Sequence, residues 1–122
     1  MSFIWSTLRV NNLGESVKFY TEVIGLKILD RMETGSGDNI VFLGDDKRDT
    51  KIELICGSSD ISHKTSVGED IFWGFKVKSL DDTMTMLNEM GIDYAGPIQP
   101  NPDIKFIFLK DPNGMNIQLI EN

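Results

Sequence analysis

The chain has 122 residues, of which 40% are hydrophobic and 25% charged, a balance typical of one soluble globular domain with a buried core. Its net charge of −7 argues against nucleic acid and anionic membranes as partners, which would repel it, whereas a cationic small molecule would be attracted. The single cysteine, Cys56, excludes an internal disulfide, and no basic segment with a long apolar run opens the chain, so we expect a cytoplasmic protein that spans no membrane.

The first elements in chain order are a strand and a helix. Residues 3–10, FIWSTLRV, are rich in β-branched and aromatic residues, as strands are. Asn12 followed by Glu15 predicts a helix N-terminus, because the amide side chain accepts from an early backbone N–H and the carboxylate complements the helix dipole. Gly25 supplies the left-handed residue that often ends a helix. The pattern then predicts three strands separated by turns, near residues 27–32, 39–44 and 51–56.

The same order of elements returns after a polar linker at about 58–69. Residues 70–77, DIFWGFKV, predict a strand, Ser79 with Asp82 predicts a helix N-terminus, and Gly91 predicts the end of that helix. The remaining strands are predicted near residues 93–95, 105–110 and 116–120, with turns at 96–103 and 111–114.

The two halves align as an internal repeat. Val10 corresponds to Val77, and Gly25 to Gly91, with Ile24 as one extra residue in the first copy. We therefore predict an α+β fold in which two β-α-β-β-β modules, at about 1–57 and 70–122, form a single domain over residues 1–122.

Alternation along the strands predicts which side chains lie on the sheet faces without helices. There, aromatic and polar residues together suit a small-molecule cleft, although the aromatics would equally suit a plain sheet face or a subunit contact. Phe42 and Phe108 are added as neighbours, because the pattern does not fix the face of their strands. The predicted ligand-binding residues are Trp5, Thr7, Arg9, Phe42, Glu53, Phe72, Lys76, Phe108 and Gln118.

Two stretches of the chain resemble a known superfamily. LRVNNLGESVKFYTEVIGLKI is similar to the opening, and FLKDPNGMNIQLIE to the closing motif, of the glyoxalase I, bleomycin resistance and extradiol dioxygenase proteins, also called vicinal oxygen chelate proteins. The resemblance implies two β-α-β-β-β modules whose sheets curve around a cleft. It also implies a homodimer, since members of this size commonly dimerise.

The resemblance further implies where a divalent metal would be bound in glyoxalase I-like members. The corresponding positions are Trp5, Glu53, Phe72 and Gln118, but the two aromatic residues have no lone pair to offer. We therefore expect a degenerate metal site and no cofactor. The only histidine, His63, is expected to be a solvated linker residue.

These observations leave three functions open. The first is a metal-independent binding protein for a cationic or aromatic small molecule. The second is a glyoxalase I-like lyase or isomerase, with an atypical metal site or with Glu53 as a metal-free acid or base. The third is a regulatory domain whose open face binds a protein partner. For Glu53 itself, the alternative to a ligand contact is an ion pair with Arg9 or Lys51.

Overall fold

A computed structural model describes residues 1–57 and 66–122, and the chain divides into two compact units, residues 1–66 and 67–122. His63 and most of the predicted linker lie outside the described residues. Each unit has its own four-stranded sheet, so the predicted division into two modules is confirmed. That both modules make up a single domain stays a prediction.

The described part of the first unit consists of four strands and a helix that ends in a π-helical turn. Strand β1 is parallel to β4, whereas β3 pairs antiparallel with both β4 and β2, so the sheet is mixed and its strand order is β1-β4-β3-β2. The elements are β1 (Trp5–Arg9), α1 (Leu13–Lys18), the π-helical turn (Phe19–Val23), β2 (Lys27–Glu33), β3 (Asn39–Gly44) and β4 (Lys51–Cys56).

The second unit repeats this arrangement. Strand β5 is parallel to β8, β7 pairs antiparallel with both β8 and β6, and the order is β5-β8-β7-β6. The elements are β5 (Phe72–Lys76), α2 (Leu80–Glu89), β6 (Ala95–Asn101), β7 (Ile104–Lys110) and β8 (Asn116–Glu121). The predicted β-α-β-β-β order is therefore confirmed in both units.

The helix ends follow the sequence signals. The Asn12 side chain accepts a hydrogen bond from the Glu15 backbone N–H at 3.0 Å, and Ser79 accepts from the Asp82 N–H at 3.2 Å. These bonds satisfy backbone donors that have no partner within the helix. Gly25 and Gly91 have φ angles of 86° and 70°, as predicted for residues that end a helix in the left-handed region.

The extra residue of the first module is accommodated in the π-helical turn. There the Ile24 N–H donates to the Phe19 carbonyl, five residues earlier, at 3.2 Å, whereas an α-helix bonds four residues back. One wider turn therefore takes up the residue that has no counterpart in the second module.

The prediction for β6 was wrong. A turn was expected at 96–103, but β6 runs from Ala95 to Asn101 and contains two prolines. It lies at the edge of its sheet and pairs irregularly with β7, so residues without an N–H can be tolerated there. The two opening strands are also shorter than predicted, at 5–9 and 72–76 instead of 3–10 and 70–77.

The buried core of each unit is formed by strand residues together with side chains from its helix. The helices contribute Tyr20 in the first unit and Leu87 in the second, both fully buried. Within the described residues, no helix combines the length and apolarity needed to cross a bilayer. The buried strand residues are Val41, Leu43, Ile52 and Leu54 in the first unit and Ile107, Leu109, Ile117 and Leu119 in the second.

Candidate functional site

The helix-free face of the first sheet brings together all five predicted residues of that unit. Glu53 of β4 lies between Thr7 of β1 and Phe42 of β3 in one row of register partners. Trp5 and Arg9 lie two residues on either side of Thr7, so they share its face. The Trp5 and Phe42 rings are 5.2 Å apart, which places Phe42 on this face and settles what the sequence left open.

A hydrogen bond joins the two polar residues of that row. The Thr7 hydroxyl donates to Oε1 of Glu53 at 2.6 Å, within the short range of bonds to an ionised carboxylate. Thr7 is exposed and Glu53 is half-buried. The hydroxyl therefore holds one carboxylate oxygen in place, a contact that alternation along the strands does not predict.

The equivalent face of the second sheet brings together the other four predicted residues. Gln118 lies between Gly74 of β5 and Phe108 of β7 in the row that matches Thr7, Glu53 and Phe42. The Phe72 ring is 5.5 Å from that of Phe108. Lys76 follows Gly74 on the same face of β5. The second row thus has an amide and a glycine where the first has a carboxylate and a hydroxyl.

A pocket of about 350 Å³ opens on the helix-free side of the first unit, a size suited to a small organic molecule. Trp5 and Phe42 supply its aromatic wall. Five further lining residues were not predicted as site residues. One of them, Asp30, is the register partner of Phe42, so its place follows from the strand pairing and not from any motif. The five are Leu29, Asp30, Met32, Lys47 and Lys51.

The DPNG segment of the closing motif supports the fold of the second unit. Asp111 is 5% exposed, and its Oδ1 accepts from the backbone N–H groups of Asn113 at 2.7 Å and Met115 at 2.8 Å. Gly114 has a φ of 85°, which favours glycine. The DPNG segment is therefore a hydrogen-bonded turn that joins β7 to β8.

The residues at the implied metal positions do not fit a divalent transition metal. Trp5 and Phe72 offer no lone pair, and one oxygen of Glu53 already accepts from Thr7. Gln118 offers a neutral oxygen. Across residues 1–57 and 66–122, no three His, Cys, Asp or Glu side chains cluster closely enough to hold a metal ion.

Comparison with known sequences places the chain in a family. The profile of the Glyoxalase/Bleomycin resistance protein/Dioxygenase superfamily matches residues 3–119. The chain belongs to this superfamily. A Vibrio parahaemolyticus protein named "Probable lactoylglutathione lyase" is 30% identical over 120 residues, which span 94% of this chain and 86% of the relative. The lactoylglutathione lyase of Haemophilus influenzae is 28% identical over 127 residues, spanning 100% and 93%.

Solved structures agree on the fold. The trypanothione-dependent glyoxalase I of Leishmania major superposes with a TM-score of 0.84 at 22% identity, over 99% of this chain and 86% of that one. TnmS3, an antibiotic binding protein from Streptomyces, superposes with a TM-score of 0.75 at 19% identity, over 99% and 96%. At these identities the likeness concerns the fold alone, and it is shared by an enzyme and a binding protein.

Proposed function

We propose that this member of the superfamily is a metal-independent protein that binds a small planar molecule on the helix-free face of its first unit. The observation that carries the proposal is the pairing of the Trp5 and Phe42 rings at a pocket of about 350 Å³, with Glu53 in the same row as Phe42. Rings at an open pocket offer a stacking surface for an aromatic ligand. Trp5 is 41% exposed, so its ring is accessible.

The ligand's polar group is proposed to contact Glu53. Because Thr7 donates to Oε1, the carboxylate is oriented before a ligand arrives and offers its remaining acceptor capacity to a donor. A positively charged donor gains most, since hydrogen bonds to ionised partners are the stronger ones. The net charge of −7 favours the approach of such a ligand.

Metal independence is supported by the donor set. An aromatic residue replaces a ligand at two of the four implied positions, and a carboxylate with one amide would hold a transition metal weakly. The aromatic residues instead supply apolar surface: Phe72 is 50% exposed and packs edge-to-face against Phe108. The same positions are therefore better suited to holding a ring than an ion.

The test replaces Glu53 by glutamine, which removes the negative charge and retains the shape of the side chain. In a Trp73→Phe background, Trp5 is the single tryptophan and reports binding by fluorescence, with protonated 4-aminoquinoline, a planar cation that carries N–H donors, as the probe. We expect saturable quenching, and we expect Glu53→Gln to weaken binding about tenfold or more, as loss of a charge-assisted hydrogen bond predicts.

The control for the test is Glu22→Gln, which removes one negative charge from an exposed position in the π-helical turn and should leave binding unchanged. Thermal unfolding of each variant checks the fold. If Glu53→Gln lowers the unfolding midpoint and leaves the affinity unaltered, Glu53 is structural and the proposal is wrong.

An enzymatic function is the second candidate, and the names of the relatives favour it. Proteins called lactoylglutathione lyase are 28–30% identical over nearly the whole chain. Glu53 would then act as an acid or base, or as one ligand of an atypical metal site. Turnover of the hemithioacetal of methylglyoxal and glutathione, lost on Glu53→Gln, would replace the binding proposal with this one.

A further inference from the structure

We propose that the pocket of the first unit selects an aromatic zwitterion, whose acidic group is bound by Lys51 and Lys47 and whose amino group contacts Asp30, the carboxylate that lines the pocket, with Glu53 beside Phe42 in the same row. The inference rests on the proposed function, because it specifies the ligand of the same face. It goes further in requiring an anionic group on the ligand, which neither the net charge nor Glu53 would predict.

The strand register separates the two kinds of charge. Phe42 has a carboxylate residue on each side in its row, Asp30 of β2 and Glu53 of β4. In the neighbouring row Lys51 of β4 is the partner of Trp5. Residues two apart along one strand lie about 6–7 Å apart on the same face. We call the row of Asp30, Phe42 and Glu53 the acidic row, and the row of Trp5 and Lys51 the lysine row. The two rows are therefore separated by about the length of one aromatic ring.

The aromatic side chains lie at the boundary between these rows. Trp5 belongs to the lysine row and Phe42 to the acidic row, and their rings are 5.2 Å apart. A planar ring stacked on the exposed Trp5 side chain would direct substituents at opposite ends toward opposite charges. Leu29 and Met32 add apolar surface to the same pocket.

The lysines come from two different segments. Lys51 opens β4 and is half-buried, and its Nζ donates to the Asp49 carbonyl at 3.3 Å, which restrains the ammonium group near the pocket. Lys47 lines the pocket from the connection between β3 and β4. An ammonium group has three donors, so Lys51 retains capacity for a ligand carboxylate.

The acidic end has a complementary arrangement. One oxygen of Asp30 accepts the Arg31 backbone N–H at 2.9 Å, and one oxygen of Glu53 accepts from Thr7. Both carboxylates are thus oriented by donors of the protein and retain acceptor capacity. A ligand amine beside Phe42 would have a carboxylate residue on each side in the same row.

The experiment uses three probes that share one ring. These are 4-(aminomethyl)benzoate, which is zwitterionic at neutral pH, 4-methylbenzoate, which has only the acid, and 4-methylbenzylamine, which has only the protonated amine. Each is titrated into the ¹⁵N-labelled full chain, and the Trp5 indole N–H signal is followed by NMR. We expect the zwitterion to bind at least about threefold tighter than either single-charge analogue, as for partly exposed ion pairs.

Substitutions test which protein side chain binds each charged group of the zwitterion. Lys51→Gln should abolish the advantage of the zwitterion over 4-methylbenzylamine, and Asp30→Asn should reduce its advantage over 4-methylbenzoate. Lys18→Gln, on the exposed last turn of α1, is the matched control and should change neither comparison. If the three probes bind equally, or if Lys51→Gln leaves the zwitterion's advantage intact, the inference is wrong.

The outcomes separate this inference from the proposed function. Binding of protonated 4-aminoquinoline that is weakened by Glu53→Gln, together with no preference for the zwitterion, would retain the proposed function and refute the inference. Absence of any Glu53 effect on protonated 4-aminoquinoline, with a zwitterion preference that Lys51→Gln and Asp30→Asn remove, would refute the role of Glu53 and retain the pocket's selectivity.

Discussion

The hydrogen bond from Thr7 to Glu53 predicts that a residue without charge affects ligand affinity. Thr7→Val removes the hydroxyl and retains the β-branched shape that suits a strand. The Glu53 carboxylate then loses the donor that fixes Oε1 and can rotate. We expect weaker binding of a cationic ligand and an unchanged fold, because Thr7 is exposed on its sheet face.

The size of this effect follows from the cost of ordering one side chain. The hydrogen bond is present with and without ligand, so its full strength does not enter the affinity. What enters is the freedom that Glu53 must give up on binding, about 0.5–1.5 kcal/mol for a flexible side chain. Thr7→Val should therefore raise the dissociation constant about two- to tenfold. Thr7→Ser retains the donor and should stay close to the parent protein.

The assay is the Trp5 fluorescence titration with protonated 4-aminoquinoline, in the Trp73→Phe background. Thr50→Val is the matched control, because it also removes an exposed threonine hydroxyl of the first unit, one that donates to the Phe3 carbonyl at 2.9 Å. It should leave the affinity unchanged. Equal weakening by Thr7→Ser and Thr7→Val, or no weakening by Thr7→Val, would refute the idea that the hydroxyl orients the carboxylate.

Three further predictions concern stability, metal content and assembly. Glu121→Ala should lower the free energy of unfolding in urea by about 1 kcal/mol, because Oε1 of Glu121 accepts the Leu80 N–H at 2.9 Å in the first turn of α2; an unchanged value would show that this contact contributes nothing. Elemental analysis of the purified protein should find no stoichiometric zinc, nickel, manganese or iron, and about one such ion per chain would overturn metal independence. Light scattering at micromolar concentration should give a homodimer, near twice the 13.7 kDa of one chain, and a mass near 13.7 kDa would contradict it.

Those parts of the fold that rest on local chemistry were predictable from the sequence. Asn12 and Ser79 cap the helices because a short polar side chain satisfies an early backbone N–H wherever it occurs. Gly25 and Gly91 end the helices because few other residues tolerate a positive φ. Alternation was equally reliable, since it depends only on strand geometry and needs no knowledge of the neighbouring strand.

The parts that depend on pairing were not predictable. Asp30 reaches the pocket because β2 pairs with β3, with an irregularity between Ile28 and Asp30 that shifts the register. The edge strand β6 retains its prolines because one of its sides needs no partner. Neither feature has a local signal, because each is decided by which strand lies alongside. The contact between Thr7 and Glu53 likewise joins residues 46 positions apart.

The two modules differ at both members of one register pair, which is Thr7 with Glu53 in the first and Gly74 with Gln118 in the second. This joint difference explains why one row has a carboxylate and the other an amide. A carboxylate accepts hydrogen bonds but cannot donate them, so Glu53 is oriented by a neighbour that donates, and Thr7 is its register partner. An amide has a donor and an acceptor of its own. Its partner in the second unit is Gly74, where an added Cβ would lie 3.9 Å from Oε1 of Gln118. The glycine thus leaves room beside the amide, whereas the threonine occupies the equivalent place and restrains the acid. The two rows therefore differ chemically: the first carries a carboxylate that a hydroxyl holds in place, and the second carries a neutral amide beside a residue without a side chain.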